Sequence, residues 1–202
     1  MKSSLFTWAG LAVAVTVTGV AVYQFSREHH VKAPTGDRFA NLLETKPPKE
    51  VTDEVREFIT EHQSSTDPEV QNKVTRARIT MGYAYARKGD LPEARTVFLA
   101  AAAQHQGTEA QDPAFGKLSD QAAYQAVAAL QGQGKPKEAT AEWLKFIEQR
   151  PLSPLVYGAH KRLIQLDESG ERHDEFNRAL QVAIEKQEAH RKEQIVACGP
   201  QI

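Results

Sequence analysis

The chain has 202 residues, a formal net charge of −1 and 25% charged residues, which leaves room for about one ordinary domain. So balanced a charge provides no broad field to attract nucleic acid, and we expect no nucleic-acid partner. Aromatic residues make up only 7%, while Ala, Glu, Gln, Lys and Leu dominate after residue 50, which predicts an all-α fold. The single cysteine, Cys198, excludes an intrachain disulfide and a cysteine-based zinc cluster.

The N-terminal region predicts a membrane anchor. After a short tail at residues 1–4, residues 5–25 contain no charged side chain, and this length of helix, about 31 Å, matches the hydrocarbon core of a bilayer. Trp8 and Tyr23 lie near its two ends, where aromatic side chains favour the membrane interface. A cleaved signal peptide has a shorter apolar region and a small-residue cleavage site. The sequence therefore predicts a retained single-pass transmembrane helix.

The charges that flank this segment bear on its orientation. Lys2 precedes it, whereas Arg27, Lys32 and Arg38 come after it, and this bias favours a cytoplasmic body. A four-residue tail with one lysine is, however, the ordinary layout of a bacterial signal-anchor that exports the domain behind it. We expect an extracytoplasmic body.

Residues 26–50 predict a polar stalk. They contain Pro34, Gly36 and two adjacent prolines at 47–48, with one short apolar patch at 39–43. The adjacent His29 and His30 are better explained as polar stalk residues than as metal ligands, so we expect no metal site.

Residues 51–194 predict a helical body. Val51, Val55 and Ile59 lie on one helical face and predict a helix from 51 to about 63. Residues 66–69 predict a capping box between Thr66 and Glu69, which opens a second helix to residue 88. Residues 90–93 repeat the cap, proline and glutamate after a glycine and open a third helix to about 104. The second and third helices form an antiparallel hairpin.

This hairpin carries small and large residues at defined spacings. The positions are Met81, Gly82, Tyr85, Gly89, Asp90, Leu91, Ala94, Phe98 and Ala101. The pattern resembles the tetratricopeptide repeat, which needs small residues where its helices cross and large ones between them. Arg78 stands where that repeat has an early aromatic residue.

A second copy of the pattern lies further along the chain. Its positions are Ala126, Val127, Leu130, Gly134, Glu138, Ala139, Trp143, Phe146 and Pro151. Ala94 and Ala139 are 45 residues apart, more than the usual 34, and the excess lies in the polar segment 106–118. We expect an insertion between the two repeats.

Residues 146–166 resemble the repeat junctions of bacterial envelope tetratricopeptide proteins, such as the outer-membrane assembly lipoprotein and the Tol-Pal coordinator. The resemblance implies a third hairpin, with a helix at 154–167, a turn at 168–170 and a long helix at about 173–194, before a tail at 195–202. No cysteine comes directly after the apolar segment, so a lipoprotein anchor is excluded.

The resemblance also implies a concave surface that binds a protein or peptide. Helical phase assigns to this surface six residues on the first helices of the first two pairs: Asn72, Arg76, Tyr83, Gln121, Tyr124 and Gln125. Each of them is equally compatible with an ordinary solvated position. The large residues at the repeat positions, such as Phe98 and Trp143, are expected in the core.

The sequence contains one candidate catalytic residue. The sequence has no Gly-rich phosphate loop, no H-E-x-x-H and no Ser-centred elbow, and we expect no cofactor. Cys198, with Gly and Pro after it, resembles the nucleophile box of papain-like bacteriocin-processing cysteine peptidases, in which the cysteine begins a helix. Gln194 resembles their oxyanion glutamine, although it stands closer to the cysteine. No histidine lies between Cys198 and Ile202, so we expect these 202 residues to be inactive.

Three functional hypotheses account for these features. The first is a membrane-anchored scaffold that binds a protein or peptide through tetratricopeptide-like repeats. The second is the N-terminal part of a fusion between such repeats and a cysteine peptidase, with Cys198 as nucleophile. The third is a spacer or oligomerisation module whose concave surface is unused.

Overall fold

A computed structural model describes residues 38–104, 111–112 and 116–198. These residues form eight helices: α1 (Arg38–Thr45), α2 (Pro48–His62), α3 (Pro68–Arg87), α4 (Leu91–Ala103), α5 (Leu118–Gly132), α6 (Pro136–Gln149), α7 (Val156–Leu166) and α8 (His173–Cys198). Two short antiparallel strands, β1 (Gln111–Asp112) and β2 (Gly116–Lys117), precede α5, with Gln111 opposite Lys117. The prediction of an all-helical fold is confirmed apart from this two-residue pair.

The predicted membrane anchor at residues 5–25 lies outside the described residues. Within the described ranges, no helix is both long enough and apolar enough to span a bilayer.

An aspartate with a proline one or two residues after it opens two of the helices. At α3, the Asp67 carboxylate accepts a hydrogen bond from the Glu69 N–H at 2.8 Å, and at α4 Asp90 accepts one from the Glu93 N–H at 3.4 Å. The predicted cap at Thr66 is wrong by one residue. Because Pro68 is the first helical residue, the residue before it takes the N-cap position.

Glycines with positive φ end the first helix of each later pair. Gly89 after α3 has φ 81°, and Gly134 after α5 has φ 74°. The N–H of the residue after Gly89 donates to the Tyr85 carbonyl at 3.0 Å, the six-to-one bond of a Schellman ending. Gly170, in the turn between α7 and α8, has φ 75°. Three consecutive helix pairs therefore share a glycine turn.

Helices that are neighbours in the sequence also pack against each other. Within the described ranges, contacts join each helix to the next, and also α1 to α3, α3 to α5 and α6 to α8. Contacts restricted to near neighbours are typical of stacked helical units. The described residues are therefore all-helical and resemble a helical repeat.

The hydrophobic core has two parts that share α3. The smaller joins α1, α2 and α3, and includes Phe39, Val55 and Val74. The larger extends from α3 to α8, and its largest fully buried side chains are those of Trp143 and Phe98. Because α3 contributes opposite faces to the two clusters, it connects the N-terminal helices to the rest of the body.

The predicted polar stalk does not extend to residue 50. α1 and the start of α2 lie inside the segment 26–50, and Phe39 and Leu42 are only 3% and 8% exposed. The short apolar patch is thus part of the core, and the predicted start of the body at residue 51 is too late. Residues 26–37 lie outside the described residues.

The third hairpin is present with small shifts in its bounds. α7 begins and ends slightly inside the predicted segment 154–167, and α8 continues past the predicted end at 194 to Cys198. α8 packs against α6 and α7. Gln187 on α8 donates to the Pro151 carbonyl at 2.7 Å, which fastens the long helix to the loop between α6 and α7.

Asp167 organises the turn between α7 and α8. Its carboxylate accepts hydrogen bonds from the Arg172 N–H at 2.9 Å and the Ser169 hydroxyl at 3.0 Å, and His173 Nε2 lies 3.7 Å away. Desolvation acts to raise the pKa of Asp167, but the hydrogen bonds together with His173 hold that pKa below its ordinary value. The ionised carboxylate therefore stabilises the turn.

Candidate partner-binding surface

The turn glycines mark the corresponding turns of the three hairpins. Gly89 and Gly134 are 45 residues apart, and Gly134 and Gly170 are 36 apart. Gly89 and Gly134 each follow the last residue of their helix by two positions, so the offset of 45 relates α3 to α5, whereas Gly170 comes four residues after the end of α7 and marks only the turn. On the face that was assigned to partner binding, Arg76 of α3 and Gln121 of α5 are related by this offset.

The large residues at the repeat positions lie in the core, as predicted. Phe98 on α4 and its equivalent Trp143 on α6 are both 0% exposed. Trp143 Nε1 donates to Gln131 Oε1 at 3.0 Å, so its only polar atom is satisfied by the neighbouring helix. The tightest crossing is between α3 and α4, where a Cβ on Gly82 would lie 2.5 Å from the Phe98 ring.

The three candidate residues on α3 are partly enclosed. Asn72 and Arg76 are half-buried, and both are engaged in interactions within the chain. The Tyr83 ring contacts Phe98 edge-on, with ring centroids 5.3 Å apart, and its hydroxyl is buried. Burial raises the pKa of the Tyr83 phenol, against a smaller opposing effect of the Gln121 side chain. Tyr83 therefore packs α3 against α4.

The three candidate residues on α5 are less accessible still. Gln121 and Gln125 are 8% and 3% exposed, and Tyr124 is half-buried with its ring centroid 4.7 Å from that of Trp143. α5 packs against α3, α4 and α6, so it is covered on most sides. Both glutamine side chains are therefore largely buried in the described structure, and their role in binding stays a prediction.

α7, the first helix of the third hairpin, has exposed side chains. Tyr157 is 52% exposed, and Lys161, one turn further on, is also exposed. Between them, Gly158 lies against α5, where the place of a Cβ is 3.0 Å from the Tyr124 hydroxyl oxygen. The accessible part of the first-helix surface is thus on the third hairpin.

A shielded ion pair holds the middle hairpin together. Arg150 at the end of α6 donates to the Asp120 carboxylate at 2.5 Å, and the two side chains are 27% and 10% exposed. The Ser119 hydroxyl lies 3.4 Å from the same guanidinium group. This contact joins the beginning of α5 to the end of α6, and so it helps to position α7, the next helix.

Cys198 is the last residue that the structure describes. The resemblance implies a cysteine at the beginning of a helix, where the backbone N–H groups stabilise a thiolate. Cys198 lies on α8, far from the beginning of that helix at His173, and its role as a nucleophile stays a prediction. One turn before the end, the Gln194 side-chain nitrogen lies 3.0 Å from His190 Nε2.

The described part of the chain offers no inorganic site either. Within it, no group of three His, Cys, Asp or Glu side chains is placed to hold a metal ion.

Comparisons with known proteins add no relative. No protein-family model matches the chain, and no curated protein or solved structure is significantly similar to it. The class that the described residues define is therefore the general one of an all-helical, helical-repeat-like protein.

Proposed function

We propose that this chain is a membrane-anchored scaffold that binds a protein or peptide partner on the first helices of tetratricopeptide-like hairpins. The observation that carries the proposal is the exposed face of α7. Tyr157 and Lys161 lie one turn apart on the first helix of the third hairpin, and both are open to solvent. Tyrosine is favoured at protein interfaces because it supplies a large contact area at a low cost in conformational entropy.

Two further observations support the tetratricopeptide-like part of the proposal. Ala94 and Ala139 are both 0% exposed at equivalent places in the second helix of their pairs, where small residues allow close helix packing. The glycine turns recur at the ends of α3 and α5 and in the turn after α7. The proposed anchor is the uncharged segment 5–25, and the body is proposed to be extracytoplasmic.

Crosslinking in membranes and affinity capture of the full-length protein test the proposal. Tyr157→Ala and Lys161→Ala should each reduce capture of the same specific proteins, by about tenfold for the tyrosine. The matched controls are Leu99→Ala, a 42% exposed apolar residue on α4, and Lys137→Ala, an exposed lysine on α6. Both controls should leave capture unchanged.

The outcomes separate the alternatives. If the α7 variants and the controls behave alike, the binding surface is not on α7. If no protein is specifically captured, a spacer or oligomerisation module explains the chain better than a scaffold. Tyr124→Ala is unsuitable as a probe, because Tyr124 packs against Trp143 and its removal would disturb the core.

A further inference from the structure

α1 is fastened to the body through its apolar face. Phe39 packs against Phe58 of α2 with ring centroids 4.8 Å apart, and Leu42, one turn away, is 8% exposed. Both residues belong to the same buried cluster as Val51 and Val55 of α2. An eight-residue helix has little stability by itself, so α1 depends on this contact.

Polar contacts secure the same helix from two sides. Just after α1, Lys46 Nζ lies 2.5 Å from a carboxylate oxygen of Glu54 on α2. The Arg87 guanidinium group, at the end of α3, donates a hydrogen bond to the Leu43 carbonyl. α1 is thus bound to both helices of the N-terminal cluster.

The attachment of α1 shortens the connection between the proposed anchor and the body. Between residue 25, where the anchor ends, and residue 38 there are 12 residues. At about 3.5 Å per residue, they reach at most about 40 Å. A stalk that extended to residue 50 would have 25 residues and reach about 90 Å.

We propose that α1, through its packing on α2 and α3, keeps the body within about 40 Å of the bilayer. The scaffold then binds partner segments that lie close to its own membrane. In this role α1 is called the clasp. This inference rests on the proposed membrane-anchored function. Release of the clasp would free residues 38–47 and add about 35 Å of reach. The clasp therefore sets how far from the bilayer the α7 surface can meet a partner.

Energy transfer to the bilayer tests the clasp. The full-length protein carries a donor dye at Glu57→Cys, an exposed position on α2, with Cys198→Ser, in phosphatidylcholine vesicles that contain an acceptor-labelled lipid. The double variant Phe39→Asp, Leu42→Asp should lower the transfer efficiency. A ten-residue Gly-Ser insertion between residues 37 and 38 should lower it to a similar level without a change in the core.

The exposed face of α1 provides the matched control. Asn41→Asp, Thr45→Asp adds the same charges to the same helix at exposed positions and should leave the transfer efficiency unchanged. Circular dichroism establishes that the body of each variant remains helical. If the body of the double variant unfolds, the single variant Leu42→Ala, which removes only part of the contact, is measured in its place. It should also lower the transfer efficiency.

Two results would overturn the inference, and they differ in what else they affect. Equal transfer efficiency in the parent and the clasp variant, with a lower value in the insertion variant, shows that α1 does not limit the reach and leaves the scaffold function intact. Failure of the parent protein to float with the vesicles removes the anchor, and with it both the clasp and the membrane part of the proposed function.

Discussion

Replacement of Gly82 by alanine tests the closest helix crossing in the core. A Cβ at this position would lie 2.5, 2.7 and 2.8 Å from three atoms of the Phe98 ring. Phe98 is 0% exposed, so its ring has no open space to enter. Overpacking a core costs about 1–3 kcal/mol, whereas exchange of glycine for alanine within a helix stabilises it by about 1 kcal/mol. The difference between these two effects is a loss of at most about 2 kcal/mol, and because three atoms lie closer than 3.0 Å we expect a net loss in the upper half of that range, about 1–2 kcal/mol.

Urea unfolding of the full-length protein in detergent, monitored by helical circular dichroism, measures this loss. For a body of this size, it corresponds to a Tm lower by about 2–8 °C. Phe98→Leu makes room beside position 82, so the double variant should lose less stability than the two single variants together, with a coupling of at least about 0.5 kcal/mol. Strict additivity, or a Gly82→Ala variant as stable as the parent, would refute the close packing of α3 on α4.

Three other predictions concern the turns and the shielded ion pair. Gly134→Ala should lower the unfolding free energy by about 1 kcal/mol, because the φ of this residue is 74°. The loss comes from the backbone alone, since no atom lies within 4 Å of the new Cβ. Gly134→Asn should lower the unfolding free energy by less. Asp120→Asn should lower the unfolding free energy by about 1–3 kcal/mol, because Arg150 then loses its ionised partner. The matched variant Asp90→Asn should lower it by less, because the Asp90 carboxylate caps α4. The pKa of Asp167 is lower in the folded chain than in the unfolded chain. The stabilising effect of this carboxylate is therefore present above the unfolded pKa and disappears as the pH falls through the folded pKa. Asp167→Asn should show a smaller drop in Tm between about pH 4 and 2 than the parent, and an equal drop would contradict the assignment.

Short-range signals located most of the helices. Aspartate before proline and glycine at the turns act through hydrogen bonds and backbone conformations within a few residues. Their effect is the same in any tertiary context, so the beginnings of α3 and α4 and the glycine turns were predicted almost to the residue. The third hairpin was found through its resemblance to known repeat junctions, and its bounds moved by only a few residues.

α1 shows where such signals are insufficient. Its eight residues include an apolar patch at 39–43 but no recognised cap, and prolines stand on both sides of it, so the local pattern predicted part of a stalk. The helix is stable because Phe39 and Leu42 enter a cluster with side chains of α2 and α3. The nearest of these along the chain, Val51, lies nine residues after Leu42, and Val74 lies much further. Burial created by separated segments has no signature within a window of eight residues.

The candidate surface shows the same difference between what a local sequence pattern predicts and what the packing of distant segments decides. Helical phase, which depends only on 3.6 residues per turn, assigned positions such as Gln121 and Tyr124 to one surface of a helix. Exposure depends instead on which neighbours pack there. α5 is enclosed by α3, α4 and α6, whereas α7 leaves Tyr157 and Lys161 open. The chain's composition and periodicity were sufficient for its helical class, and the packing of distant helices was needed to decide which side chains remain available to a partner.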